Sequence, residues 1–226
     1  MPQKSIFTWP QGGSLVLSGG GDFRRGQTDE VDTSVLRRAL SDNPLAYLIA
    51  GPGKDAMGED FLEYIQELGG PTGFMVDLLE EDIDSIQEQL AEVGIIVLGD
   101  AISETAWPRL LAGPIHESLA GALAAGTTIY AQGRLAGLFG AWYPGPLMGL
   151  MGGLAWLDNS LIYAPYQAEK RAILGDLLQN YAPAAFGLGL APGSALALTA
   201  EGGVEIWGGQ EVTILLGPHF KTAEGK

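Results

Sequence analysis

The chain has 226 residues, no cysteine and a formal net charge of -15 with a pI near 4.3. The missing cysteine removes disulfides, thiolate metal sites and a cysteine nucleophile, and the negative charge opposes nucleic-acid backbones and anionic membrane surfaces as partners. Hydrophobic residues at 46% against 17% charged predict one folded domain over residues 1–226 rather than a disordered chain.

The opening residues, MPQKSIFTWPQGG, hold no apolar run of signal-peptide length, so a cytoplasmic location is expected. Strand-like apolar runs follow at 14–18, 46–50, 73–76, 94–98 and 127–131. Between them Met57, Phe61, Leu62, Ile65 and Leu68 recur at helical spacing, as do Ile83, Ile86, Leu90 and Val93. Leu110, Leu111, Ile115, Leu119 and Leu123 make a third stripe. Strands alternating with amphipathic helices predict a parallel sheet with helices on both faces.

Residues 55–104 carry 14 of the 27 acidic residues and no Lys or Arg. Such a run reads as the solvated face of its helices, with a docking face for a basic partner as the alternative. Residues 135–157 carry no charge over a membrane-spanning length, but Pro144, Pro146 and six glycines interrupt them, so buried strand and loop are expected instead of a span. After Ala182 short runs punctuated by glycine, with Gly202 and Gly203 suited to a tight turn, predict an antiparallel β-hairpin at the end of the domain.

The turn Gly19-Gly20-Gly21-Asp22 follows the first strand without dinucleotide or P-loop spacing, and reads as a tight strand exit. His116 and His219 are the only histidines, and Ser118 lies two positions from His116 on one helix, where the two side chains diverge. With scattered acids and no cysteine, no metal and no cofactor is implied.

The segment 94–140 carries the sharpest motifs. Leu98-Gly99-Asp100 ends a strand, and Gly133-Arg134-Leu135-Ala136-Gly137 follows the next one. This resembles the cyanophycinase and dipeptidase E family of serine peptidases, in which a strand ends in Gly-Gly-Asp or Gly-Gly-Asn and the next in a G-x-S-A-G elbow. The likeness extends over 47–70 and over 171–180 with the glycine-rich run beyond. It implies a class I glutamine-amidotransferase-like, flavodoxin-like α/β fold: a three-layer sandwich on a mostly parallel central sheet.

Against that pattern Leu135 stands at the serine, and the stretch YAPYQ at 163–167, where the family histidine is expected, has no histidine. A Ser-His mechanism lacks both partners. The resemblance therefore implies a non-catalytic member that binds a small anionic ligand near Gly99, Asp100, Arg134 and Leu135, or contributes a surface to a homo-oligomer. Trp107, Trp142, Tyr143 and Trp156 are candidate cleft residues. A hydrolase using Thr127, Thr128 or Ser160 is the alternative.

Overall fold

The computed structural model describes residues 12–39, 43–145 and 149–220. In chain order the first part is β1 (Leu15–Ser18), α1 (Asp29–Arg38), β2 (Leu45–Ala50), α2 (Asp55–Glu67), β3 (Gly73–Asp77), α3 (Ile83–Ala91), β4 (Ile95–Ile102), α4 (Trp107–Leu111), α5 (Pro114–Ala124), β5 (Thr128–Gln132) and α6 (Arg134–Gly137). The second part is β6 (Gly140–Pro144), β7 (Leu150–Gly152), β8 (Leu157–Tyr163), α7 (Arg171–Asn180), β9 (Phe186–Leu190), β10 (Ser194–Leu198), β11 (Val204–Gly208) and β12 (Val212–Leu216).

Seven strands form a central sheet in the order β11-β10-β1-β5-β4-β2-β3. The pairings among β1 to β5 are parallel, while β10 runs antiparallel to both β1 and β11. Every residue of β1 and of β2 is buried, as expected for strands covered on both faces. Alternation divides the core: Leu15 and Leu17 face α3, α4, α5 and α6, whereas Val16 faces α1 and α2. On α2, Phe61 stacks on Tyr47 of β2 with ring centroids 4.6 Å apart, and burying such a side chain contributes roughly 1.5–3 kcal/mol. The third stripe divides between α4 and α5, because Gly113 turns the chain and Pro114 opens a new helix.

A single central sheet is too simple a description. The uncharged stretch and the segments after it build a second, five-stranded sheet in the order β12-β9-β8-β6-β7. One face of it shares the core of Leu15 and Leu17 through Leu157, Ile162, Leu188 and Leu190, and Leu161 on the other face packs with Leu174 and Leu178 of α7. Within 135–157 the chain forms α6, β6 and β7, and among the described residues no helix is long and apolar enough to cross a membrane. Pro146 lies outside the described residues. In the acidic run every Asp and Glu except Asp77 and Glu81 is exposed.

One acid is an exception to this solvated pattern. Asp32, on the buried face of α1, has no exposure, and the Tyr130 hydroxyl donates to its Oδ1 at 2.7 Å. The Tyr64 Oη lies 2.8 Å from Asp32 Oδ2 and also 2.8 Å from Asp29 Oδ1, with one hydrogen for two carboxyl acceptors. A proton on Asp32 balances this set, and burial pushes its carboxyl above the ordinary aspartate range.

Folded Asp32 then holds its proton to higher pH than unfolded Asp32. Its stabilisation is complete below about pH 4 and is lost as pH rises through the raised folded value. We expect the wild-type melting temperature to fall relative to Asp32→Asn as pH rises above the ordinary aspartate range, since the amide has no proton to lose; parallel curves would contradict a protonated Asp32. Asp32→Ala, which strands the buried Tyr130 hydroxyl, should cost about 1–3 kcal/mol in chemical denaturation.

Candidate functional site

After β1 the chain passes to α1 on one face of the sheet, and after the adjacent β5 it passes to α6 on the other. Neighbouring parallel strands whose connections diverge leave a crevice at their carboxyl ends. A cavity of about 530 Å³ lies there. The residues around it include Gly19, Gly20, Gly21 and Asp22 after β1, Gln132 at the end of β5 and Gly133 after it, Tyr47 of β2 and Asp100 of β4, and Arg24, Arg134 and Pro192. The Gly19–Asp22 turn, read from sequence as a strand exit, is thus also a cavity wall. Ser18 and Gln132 are register partners at this edge. The Gly133 amide donates to the Ser18 carbonyl at 2.9 Å, and the Gly20 amide to Ser18 Oγ at 3.0 Å.

Gly133 makes the turn from β5 into α6, with φ 57° and ψ -132°. That combination is strained for a side-chain-bearing residue, and a strained strand-to-helix turn is where a nucleophile elbow carries its reactive group. The turn therefore falls two residues before Leu135. Leu135 is 2% exposed, does not line the cavity and packs in the core between sheet and helices. A Cβ built on Gly133 would meet only Asp100 Oδ1, at 3.5 Å, so space for a side chain exists and none is there.

The sequence-derived site residues separate accordingly. Asp100 and Arg134 reach the cavity, while Gly99 and Leu135 do not line it. Gly99 and Asp100 sit inside β4, where the register with β2 shifts between Leu48 and Ala50, rather than beyond the strand end. A Cβ on Gly99 would approach Gln132 Oε1 and the Tyr47 hydroxyl to 2.8 Å each, so glycine there lets these polar groups close beneath the floor. Burial, with the nearby Asp100 carboxylate as a second cause, pushes the Tyr47 phenol well above its ordinary range and keeps it a neutral hydroxyl.

The expected anion site is not built as the sequence implied. Arg134 pairs with Glu104 and lies over the Trp107 ring, its guanidinium carbon 5.0 Å from the centroid. Arg24 pairs with Asp60. Asp22 is occupied by the Arg24 amide at 3.1 Å and by Arg25 at 3.2 Å, and Lys54 Nζ donates to the Asp100 backbone carbonyl at 2.8 Å. Both arginines of the wall are thus neutralised by carboxylates, and the Asp100 carboxylate is left facing the cavity beside the Gln27 and Gln132 amides. These groups suit a ligand that presents hydrogen-bond donors.

None of the four candidate aromatics lines the cavity. Trp107 and Tyr143 are buried edge to face at 5.9 Å, Trp142 packs with the α7 cluster, and Trp156 donates through Nε1 to His116 Nε2 at 3.0 Å. His219 is exposed near the end of the described chain. Ser118 Oγ donates to the Pro114 carbonyl at 2.8 Å, within its own helix. Thr127, Thr128 and Ser160 are buried; Thr127 is bonded to the Val93 carbonyl at 3.0 Å and Ser160 to that of Leu157 at 2.7 Å. Among the described residues no three His, Asp or Glu side chains group as metal ligands. Sequence reasoning missed Tyr47, Gln27, Gln132 and Pro192; only Gln132, between the strand-like run 127–131 and Gly133, carried any signal.

No protein-family model and no curated protein sequence matches the chain. Solved structures do. The crystal structure of a peptidase from an acI-B1 Actinobacterium superposes with a TM-score of 0.69 at 13% identity, covering 92% of this chain and 92% of that one. A candidate peptidase E protein from Listeria monocytogenes EGD-e superposes with a TM-score of 0.53 at 13% identity, over 91% of this chain and 98% of that one. The chain thus shares its fold, an α/β arrangement on a mostly parallel central sheet, with peptidases.

Because the Gly133 turn has room but a left-handed φ, we expect Gly133→Ala to destabilise by about 1–3 kcal/mol through backbone strain alone. A cost near zero in urea titration would mean that the turn relaxes to an ordinary conformation.

Proposed function

We propose that this chain is a non-catalytic relative of the cyanophycinase-type serine peptidases that keeps the cleft at the sheet's carboxyl edge as a ligand-binding site. The observation that carries the reading is Gly133: the strained strand-to-helix turn persists, and the residue on it has no side chain. No histidine lines the cavity to activate a hydroxyl, and neither Asp22 nor Asp100 has a serine beside it there. What remains is a set of glycine backbone groups, two carboxamides, a neutral phenol and one open carboxylate, which bind and orient without breaking bonds. The ligand we assign is small, polar and rich in donors, in place of the anion expected from sequence, because the wall's guanidinium charges are already matched by Asp60 and Glu104.

The relocated-nucleophile reading gains no support from position. Thr127 and Thr128 lie at the amino end of β5, away from the cavity, and Ser160 has no exposure.

Exposure to a fluorophosphonate or activated ester followed by intact-protein mass spectrometry and peptide mapping tests the proposal. Wild-type protein should show no adduct, and Leu135→Ser none either, since that side chain points into the core. Gly133→Ser places a hydroxyl in the cavity but without a base, so it should acylate only with highly reactive esters, at rates about four orders of magnitude below an intact triad. Stoichiometric labelling of one wild-type Ser or Thr, lost on its mutation together with a hydrolase activity, would overturn the proposal.

A further inference from the structure

The polar side chains around the cavity hold fixed hydrogen-bonding roles, because each is already engaged in part by the protein. Gln27 Oε1 accepts from the Asp22 amide at 3.0 Å, so the carboxamide nitrogen of Gln27 is the end left to donate. Tyr47, only 2% exposed, takes the Ala101 backbone amide on its phenol oxygen and keeps its own proton to give. The Asp100 carboxylate can only accept, and it belongs to no ion pair among the described residues.

Gln132 is oriented from within the sheet. The buried Tyr130 phenol gives its proton to Asp32 and receives the Gln132 carboxamide and the Ser18 hydroxyl as donors. That leaves Gln132 Oε1 as an acceptor beside the Tyr47 hydroxyl, since a Cβ on Gly99 would stand 2.8 Å from each. The cavity therefore sets two donors, Gln27 and Tyr47, against two acceptors, Asp100 and Gln132.

This pattern sorts ligand chemistry. An ammonium or guanidinium answers only the acceptors, and a carboxylate or phosphate only the donors, leaving buried groups unpaired in either case. An anion also meets no free positive charge, because Arg24 is held by Asp60 and Arg134 by Glu104. An amide divides giving and taking between two atoms. A hydroxyl does both at one oxygen, which suits a donor and an acceptor that stand side by side, and several hydroxyls on one small molecule answer all four groups. Phe23, Met57, Pro165 and Pro192 line the same cavity and offer apolar contact to the C–H face of such a molecule. The volume of about 530 Å³ falls within the roughly 300–1,000 Å³ of small-molecule sites.

Resting on the reading of this cavity as a ligand site, we infer that its ligand is an uncharged polyol, a sugar of one or two rings. Tyr47, Gln27, Gln132 and Asp100 bind its hydroxyls. Tyr130 and Asp32 touch no ligand and act as positioning residues by fixing which end of Gln132 is left to accept.

Ligand-observed NMR titration of the wild-type chain with glucose, galactose, mannose, N-acetylglucosamine, maltose and lactose tests this, with spermidine, arginine and glucose 6-phosphate as charged comparators. At least one neutral sugar should saturate the protein with a Kd below about 10 mM and bind more tightly than every comparator. Tyr47→Phe and Gln132→Met, each with unchanged circular dichroism, should weaken that sugar about fivefold to tenfold by removing one hydrogen-bonding group. Gln66→Met, on the exposed face of α2, should leave the affinity unchanged. Independently of any variant, the sugar should slow amide hydrogen exchange in wild type at residues 19–22 and 132–135. No saturation by any neutral sugar, an affinity indifferent to both substitutions, or unaltered exchange at these turns would each overturn the inference. Tighter binding of a charged comparator, weakened by Tyr47→Phe or Gln132→Met, would overturn it too while leaving the cavity as a ligand site. Stoichiometric labelling of a wild-type Ser or Thr together with a hydrolase activity would instead remove the underlying non-catalytic reading.

Discussion

A Cβ on Gly20 would stand 3.0 Å from the Gly133 Cα, and this close approach of two chain turns organises the sheet's carboxyl edge. One turn leaves β1 and the other leaves β5, in opposite directions. Their contact, with the Gly133 amide on the Ser18 carbonyl, fixes the distance between the diverging connections and hence the width of the crevice they enclose. Everything placed in the cavity is referred to that junction: Asp100 stands opposite the turn, and Gln132 and Tyr47 close beneath it. The strained strand-to-helix turn itself is a glycine and carries no side chain.

Charge is partitioned just as firmly. The acids of 55–104 sit in water on one half of the sheet, the cavity balances each guanidinium with a carboxylate, and the layer between the sheets holds hardly any charge. Asp32 is the exception that a phenol pair makes tolerable, since Tyr64 and Tyr130 supply the hydrogen bonds that burial removes from water. Arg38, at the end of the same helix, extends this control outward by tying down the acids of the β10–β11 hairpin.

Strands β1 to β5 were legible because a strand buried on both faces is a continuous apolar run, and α2 and α3 because their apolar stripes are wide. Helix α1 was not, since its buried face is only Val31, Asp32 and Val35 and one of those is a carboxyl. Nor was the second sheet: β6, β7 and β8 lie in or beside a stretch so uniformly uncharged that no alternation marks their faces. The site was half legible. Asp100 and Arg134 were found, but the spacing G-R-L-A-G drew the elbow onto Leu135, because letters record glycines without recording which one has a positive φ. Pairing of Arg134 with Glu104, thirty positions apart, is a tertiary event that no local pattern announces.

The antiparallel pairing of Leu15 with Leu198 also sets an order of events during synthesis. Strand β1 emerges first from the ribosome and can pair with β5 once half the chain is made, but its other side stays open until β10 arrives. The second sheet waits longer still, for β12 is among the last described segments and pairs with β9. During that interval strands β6 to β8, whose one charged residue is Asp158, are outside the exit tunnel without their final cover, a state in which apolar edges are prone to meet those of other chains. Such long sequence separations make for slow closure. Production of this protein should therefore respond more strongly to growth temperature and chaperone supply than the stability of its finished core alone would indicate.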